Sequence, residues 1–235
     1  ISLDGPWTFH TSGTSPRLAK LVQVPNPFEV HAGTKFDGIG IYQRRLPDFQ
    51  LGNRRAILRF HGAATQADVF VNGRHLIQHL GGWTPFQVDI TDQLAEETHL
   101  EVRVDERVGH NSQGFLPVFA PHFGGIWQGV ELRLVPTCWL DDLSSFAHAD
   151  AATKTWRTQL KFHGRLPDSA WIGVATRRTG NGNWGAELRF RIAKKRPNSN
   201  ERVALERGDK IWLDWKPSDV ESWSPEKPVV YQVRF

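Results

Sequence analysis

The stretch from Phe60 to Asp105, FHGAATQADVFVNGRHLIQHLGGWTPFQVDITDQLAEETHLEVRVD, leaves this chain few folding options. Leu100, Val102 and Val104 alternate with Glu101, Arg103 and Asp105, the period of a strand with one face in a core. Val69 and Val71 lead into Asn72-Gly73, a dipeptide that accepts the positive φ angles of a two-residue hairpin turn. Phe86, Val88 and Ile90 make a further alternating strand behind Pro85. Only Thr91 to Thr98 reads as a helical turn. A segment built this way pairs strands locally and cannot be a helical bundle.

The rest of the chain continues in kind. Val130, Leu132 and Leu134 alternate with Glu131 and Arg133. Beyond Pro136 the same period recurs in Trp156–Phe162, Ala186–Ile192, Ile211–Trp215 and Val229–Phe235, with turn clusters such as Thr179–Asn183 between them. The expected fold is therefore all-β. Residues 1–136 suit a jelly-roll (galactose-binding-like) β-sandwich. Residues 137–235 suit an immunoglobulin-like β-sandwich without the disulfide of antibody domains, since Cys138 is the only cysteine. No apolar run approaches the roughly 20 residues of a membrane helix. The absence of Met and the start at Ile1 suggest a piece of a longer chain.

Charge excludes one class of partner. The formal net charge is +4, and the basic residues are scattered apart from Lys194-Lys195-Arg196, which reads as a solvated loop. A nucleic-acid surface needs a denser basic stripe with interleaved aromatics, so no nucleic acid is expected despite the basic balance. A single cysteine fits a periplasmic or secreted bacterial-type protein as well as a cytoplasmic one.

Several segments, taken in order, resemble glycoside hydrolase family 2, the family of many β-galactosidases, β-glucuronidases and β-mannosidases. They are Ile1–Phe9 (ISLDGPWTF), Val24–Phe28 (VPNPF), Asp68–Gly73 (DVFVNG), Gly81–Phe86 (GGWTPF), Gly125–Leu132 (GIWQGVEL) and Trp223–Tyr231 (WSPEKPVVY). The resemblance spans nearly the whole chain. It implies a sugar-binding jelly roll and an immunoglobulin-like spacer, followed in complete members by a catalytic TIM barrel. It implies a β-linked sugar or oligosaccharide as ligand and the protein's own C-terminal barrel as partner; no cofactor is expected, and no metal, since the histidines lack ligand spacing.

The chemistry of glycoside hydrolysis is not visible in these residues. It needs two carboxyl groups about 5 to 10 Å apart, one of them sheltered enough to hold a proton. The single Asn-Glu pair, Asn200-Glu201, follows a polar loop and is expected to be solvated. The pairs Glu96-Glu97 and Asp141-Asp142 are expected to be surface charge, because neighbouring strand residues face opposite ways. His31, His61 and His110 stand singly near turns, with a solvated or hydrogen-bonded role, and no metal-ligand spacing appears. Cys138 reads as an inert thiol. No catalytic residue is therefore assigned, and these sequences are read as a non-catalytic segment of a glycosidase. A carbohydrate-binding module or an adhesion scaffold is the alternative.

The resemblance places one loop of the first domain over the substrate pocket. The matching stretch here is Asn111–Gly125, NSQGFLPVFAPHFGG, in which Asn111, Gln113 and His122 supply the polar groups that sugar hydroxyls need. Some relatives carry a substrate-contacting aspartate in this loop. Phe115–Phe123 holds no acid, so the sugar stays unassigned. Trp83, on the turn after Gly81-Gly82, is a further substrate-binding candidate, against its use as an anchor of that turn in the core.

Overall fold

A computed structural model describes residues 1–107, 123–180, 183–195, 202–217, 220–221 and 224–235. The chain divides into two compact units, Ile1–Pro136 and Thr137–Phe235.

The first unit is a jelly-roll sandwich of nine described strands: β1 Gly5–Thr11, β2 Lys20–Val24, β3 Ile39–Arg45, β4 Arg54–Phe60, β5 Gln66–Val71, β6 Arg74–Leu80, β7 Phe86–Asp89, β8 His99–Asp105 and β9 Val130–Pro136. They form a six-stranded sheet, β2-β1-β3-β8-β5-β6, and a three-stranded sheet, β7-β4-β9. Trp7, Phe9, Tyr42, Val69, Val102 and Val104 face inward from the first; Leu58, Phe60, Phe86, Val130 and Leu132 answer them from the second. The alternation read from the sequence is thus the core itself. Asn72 (φ 50°) and Gly73 (φ 78°) close the β5–β6 hairpin, and the Asn72 amide also donates to Gln93 O (2.8 Å) and accepts from His99 N (2.8 Å). Residues 1–3 lie along β9: Leu3 N donates to Val130 O and Leu132 N donates to Ile1 O, both at 2.8 Å.

Two local features differ from the sequence expectation. The helical turn expected over Thr91–Thr98 is only a 3-10 turn, Thr91–Gln93, where Asp89 Oδ1 accepts from Thr91 N at 2.9 Å. An α-helix, α1, instead occupies Phe28–Ala32. Pro27 precedes its first residue, and Phe28 and His31 are buried under it. His31, expected to be solvated or hydrogen-bonded, packs against the rings of Phe9 (5.6 Å) and Tyr42 (6.0 Å). Its ring Nε2 has no hydrogen-bond partner among the described residues. Burial first, and Lys20 second, depress its basicity, while the hydrogen bond with the Asn26 backbone, which meets the hydrogen-bonded half of the expectation, acts the other way.

The second unit has seven described strands: β10 Trp139–Asp150, β11 Thr155–His163, β12 Trp171–Arg178, β13 Leu188–Ala193, β14 Val203–Arg207, β15 Lys210–Trp215 and β16 Tyr231–Arg234. They follow one another in the order β10-β11-β15-β14-β13-β12-β16, with β13 and β14 parallel and the other pairs antiparallel. Leu160, Phe162, Val174, Phe190, Leu213 and Trp215 fill this immunoglobulin-like unit. The buried Trp215 indole donates to Thr158 Oγ1 at 2.9 Å, which satisfies both polar groups.

Asp141 corrects another expectation, because it is buried rather than surface charge. The pairing of β10 with β11 shifts register between Asp141 and Phe146. At that irregularity the carboxylate accepts from Leu143 N (3.0 Å) and pairs with His163 Nε2 (3.2 Å). A strand that breaks step can turn an acid inward, provided its lone pairs find donors. Asp142 stays exposed.

Candidate functional site

The jelly-roll unit gathers three aromatic rings where the Gly81–Phe86 turn meets the Phe123–Trp127 stretch. Trp83 lies parallel to Phe123 (5.8 Å, 6°), and both stand edge-on to Trp127 (4.8 Å, 71°; 5.2 Å, 73°). Trp127 is the anchor: its indole Nε1 donates to Gly82 O at 2.8 Å. Gly62 makes room for it, since a Cβ there would lie 3.1 Å from that nitrogen. Gly82 packs on Ala64, where a Cβ would come within 2.9 Å, and Gly81 needs its φ of +144°. His79 braces the same turn, its ring stacked on Phe86 at 4.2 Å and its Nε2 bonded to Gly81 O and Thr84 Oγ1 at 3.0 and 3.2 Å.

Trp83 is 52% exposed, so the reading of it as a core anchor is corrected. Trp127 performs that task, and Trp83 offers part of an indole face to solvent on a turn held rigid from beneath. Such a face suits the C–H surface of a pyranose. Replacing Trp127 with Phe keeps the ring packing and removes the bond to Gly82. We expect a loss of about 1 kcal/mol in urea unfolding; an unchanged midpoint would show that the bond does not hold the turn.

The other substrate-binding candidates, Asn111, Gln113 and His122, lie outside the described residues, as do His110 and the Asn200-Glu201 pair. Cys138 is half-buried, and burial pushes its thiol up, away from the reactive thiolate.

Besides Asp141, a second carboxyl is buried, at a position the sequence reading did not single out. Glu106, just past β8, is 1% exposed. Its Oε1 accepts from Gly38 N at 3.2 Å, while Oε2 has no hydrogen-bond partner among the described residues. Burial above all pushes its pKa up to about 7, and the nearby Glu29, Asp37 and Asp105 act in the same direction. The Tyr42 phenol close by is likewise raised by burial. The signal was available, because Glu106 continues the even-numbered inward row of Leu100, Val102 and Val104. A Cβ on Gly124 would lie 2.5 Å from the Phe28 ring and 2.8 Å from Glu106 Oε2, so on that side the glycine backbone packs directly against the carboxyl. Among the described residues no cluster of three or more His, Cys, Asp or Glu could hold a metal, and no helix is long and apolar enough to cross a membrane.

The family model described as "Glycosyl hydrolase 2 galactose-binding domain-like" matches residues 41–114. A β-glucuronidase of Bacteroides fragilis is 31% identical over 150 residues, covering 59% of this chain and 21% of the relative. A β-galactosidase of Thermoanaerobacter pseudethanolicus is 32% identical over 101 residues, covering 41% of this chain and 14% of the relative. Among solved structures, a Bacteroides uniformis β-glucuronidase superposes with a TM-score of 0.72 at 21% identity, over 99% of this chain and 29% of that one. A Bifidobacterium dentium β-glucuronidase complexed with coumarin-3-O-glucuronide gives 0.71 at 22% identity, over 99% and 44%. The chain therefore spans less than half the length of these relatives. Its residues match the N-terminal galactose-binding-like and immunoglobulin-like region of glycoside hydrolase family 2 members.

Proposed function

We propose that the protein containing this chain hydrolyses a β-glycosidic bond, and that residues 1–235 position the sugar and brace a C-terminal catalytic barrel without performing the chemistry. The observation that carries this reading is the Trp83–Phe123–Trp127 cluster, which presents an indole face at the point where the chain leaves the Asn111–His122 segment. In this reading Trp83 stacks on the sugar, and Asn111, Gln113 and His122 bond its hydroxyls. In this reading Glu106 and Asp141 take no part in bond cleavage; each accepts one backbone N–H inside its own unit.

The test compares the full gene product with residues 1–235 on aryl β-glycosides, a glucuronide and a galactoside included. Turnover is expected only from the longer protein. Trp83→Ala in that protein is expected to raise KM about tenfold, the worth of one lost stacking contact, with little change in kcat. Turnover by residues 1–235 alone would overturn the non-catalytic assignment. An inactive full-length protein would overturn the glycosidase reading.

A further inference from the structure

The immunoglobulin-like unit carries a second surface with binding chemistry, separate from the aromatic cluster of the jelly roll. On β12, Ile172, Val174 and Thr176 point into the core, so Trp171, Gly173 and Arg177 point out. The neighbouring strands place their own outward residues opposite: Gly173 faces Arg189 of β13, and Ala175 faces Arg234 of β16. The result is a groove of about 510 Å³ lined by Trp171, Gly173, Glu187, Arg189, Arg234 and Phe235.

We propose that this groove binds an acidic oligosaccharide, with Trp171 stacked on one sugar ring and Arg189 and Arg234 receiving a ring carboxylate. Trp171 is 55% exposed, which leaves an indole surface available at one end. Its row and the Arg234 row are four strand residues apart, roughly 13 Å, longer than a single ring requires. Glu187 lies between the guanidiniums, 2.8 Å from Arg189 Nε and 4.0 Å from Arg234. Gly173 permits this, since a Cβ there would meet the Glu187 carboxyl at 2.8 Å. Arg234 also lies over the Trp184 ring at 4.7 Å, which carries Arg177 at the same distance.

The forks are thus oriented before a ligand arrives, and that reduces the ordering cost of binding. One carboxylate between two guanidiniums leaves an excess of positive charge for a ligand anion. A neutral sugar would leave that excess unmatched. A polyphosphate would gain nothing from Trp171.

Residues 1–235 are to be titrated calorimetrically with a β-linked tetrasaccharide containing glucuronate, with its carboxyl-reduced counterpart, and with a short DNA duplex. The acidic tetrasaccharide is expected to bind at least about tenfold more tightly than the reduced one. Trp171→Ala and Arg234→Gln, both at exposed positions, are each expected to weaken it about fivefold or more without moving the melting midpoint. Absence of binding, equal binding of the two tetrasaccharides, competition by the duplex at equal strength, or indifference to both substitutions would overturn the assignment. None of these outcomes bears on the glycosidase reading, which is measured as turnover.

Discussion

Glu106→Gln is expected to raise the stability of the jelly-roll unit at pH 8 and to leave it nearly unchanged near pH 4.5. The folded pKa of about 7 stands above the ordinary 4.5 of a free glutamate. Below the unfolded value both states hold the proton, and the group makes no demand on the fold. Between about 4.5 and 7 the native state keeps a proton that the unfolded chain releases, so stability falls as pH rises. Above the folded value the loss is complete, at most about 3 kcal/mol for a shift of this size. Glutamine can still accept from Gly38 N and carries no charge. The wild-type and variant melting curves should therefore diverge with rising pH and plateau above neutrality. Parallel curves from pH 4.5 to 8 would show that Glu106 titrates as a solvated acid.

The second large effect belongs to the immunoglobulin-like unit. Gly164 follows β11 with φ +85°, and a Cβ there would stand 2.0 Å from the Thr137 carbonyl oxygen. Alanine would have to leave the left-handed region or push a backbone carbonyl aside, and no flexible side chain is there to yield. The combined cost is about 2 to 4 kcal/mol. Gly164→Ala should lower the chemical-denaturation midpoint of this unit by a corresponding amount. Gly180→Ala is a fair control: it has a similar φ of +86° and nothing within 4 Å of its Cβ position, so it isolates the backbone term. Equal losses for the two variants would remove the Thr137 contact as a cause.

Strand faces were legible wherever one side of a strand meets the core, because a period of two leaves no freedom of assignment. That rule places Val69, Val102 and Leu160 inside, and it also places Glu106 there, although a charged residue at the end of an apolar row is easily read as the start of a loop. The rule fails at Asp141, where β10 loses step with β11 and the buried carboxylate is met by Leu143 N two residues on and by His163 of the neighbouring strand. Helix α1 escaped notice because five residues carry no period; Phe28 holds it through tertiary packing against Phe9, Phe36 and Tyr42. At the aromatic cluster the sequence shows two tryptophans in Gly-rich settings, but only the bond from Trp127 to Gly82 distinguishes the anchor from the exposed face. Arg189 and Arg234 are forty-five positions apart in the chain, and their convergence depends on both β13 and β16 pairing with β12.

The strip formed by residues 1–3 along β9 has a consequence for self-association. Without it, the Val130–Leu132 backbone would stand at the border of a three-stranded sheet with groups ready to template another chain. Residues 1–3 work as a selvedge over that stretch, taking up backbone groups of Val130 and Leu132 that would otherwise stand open.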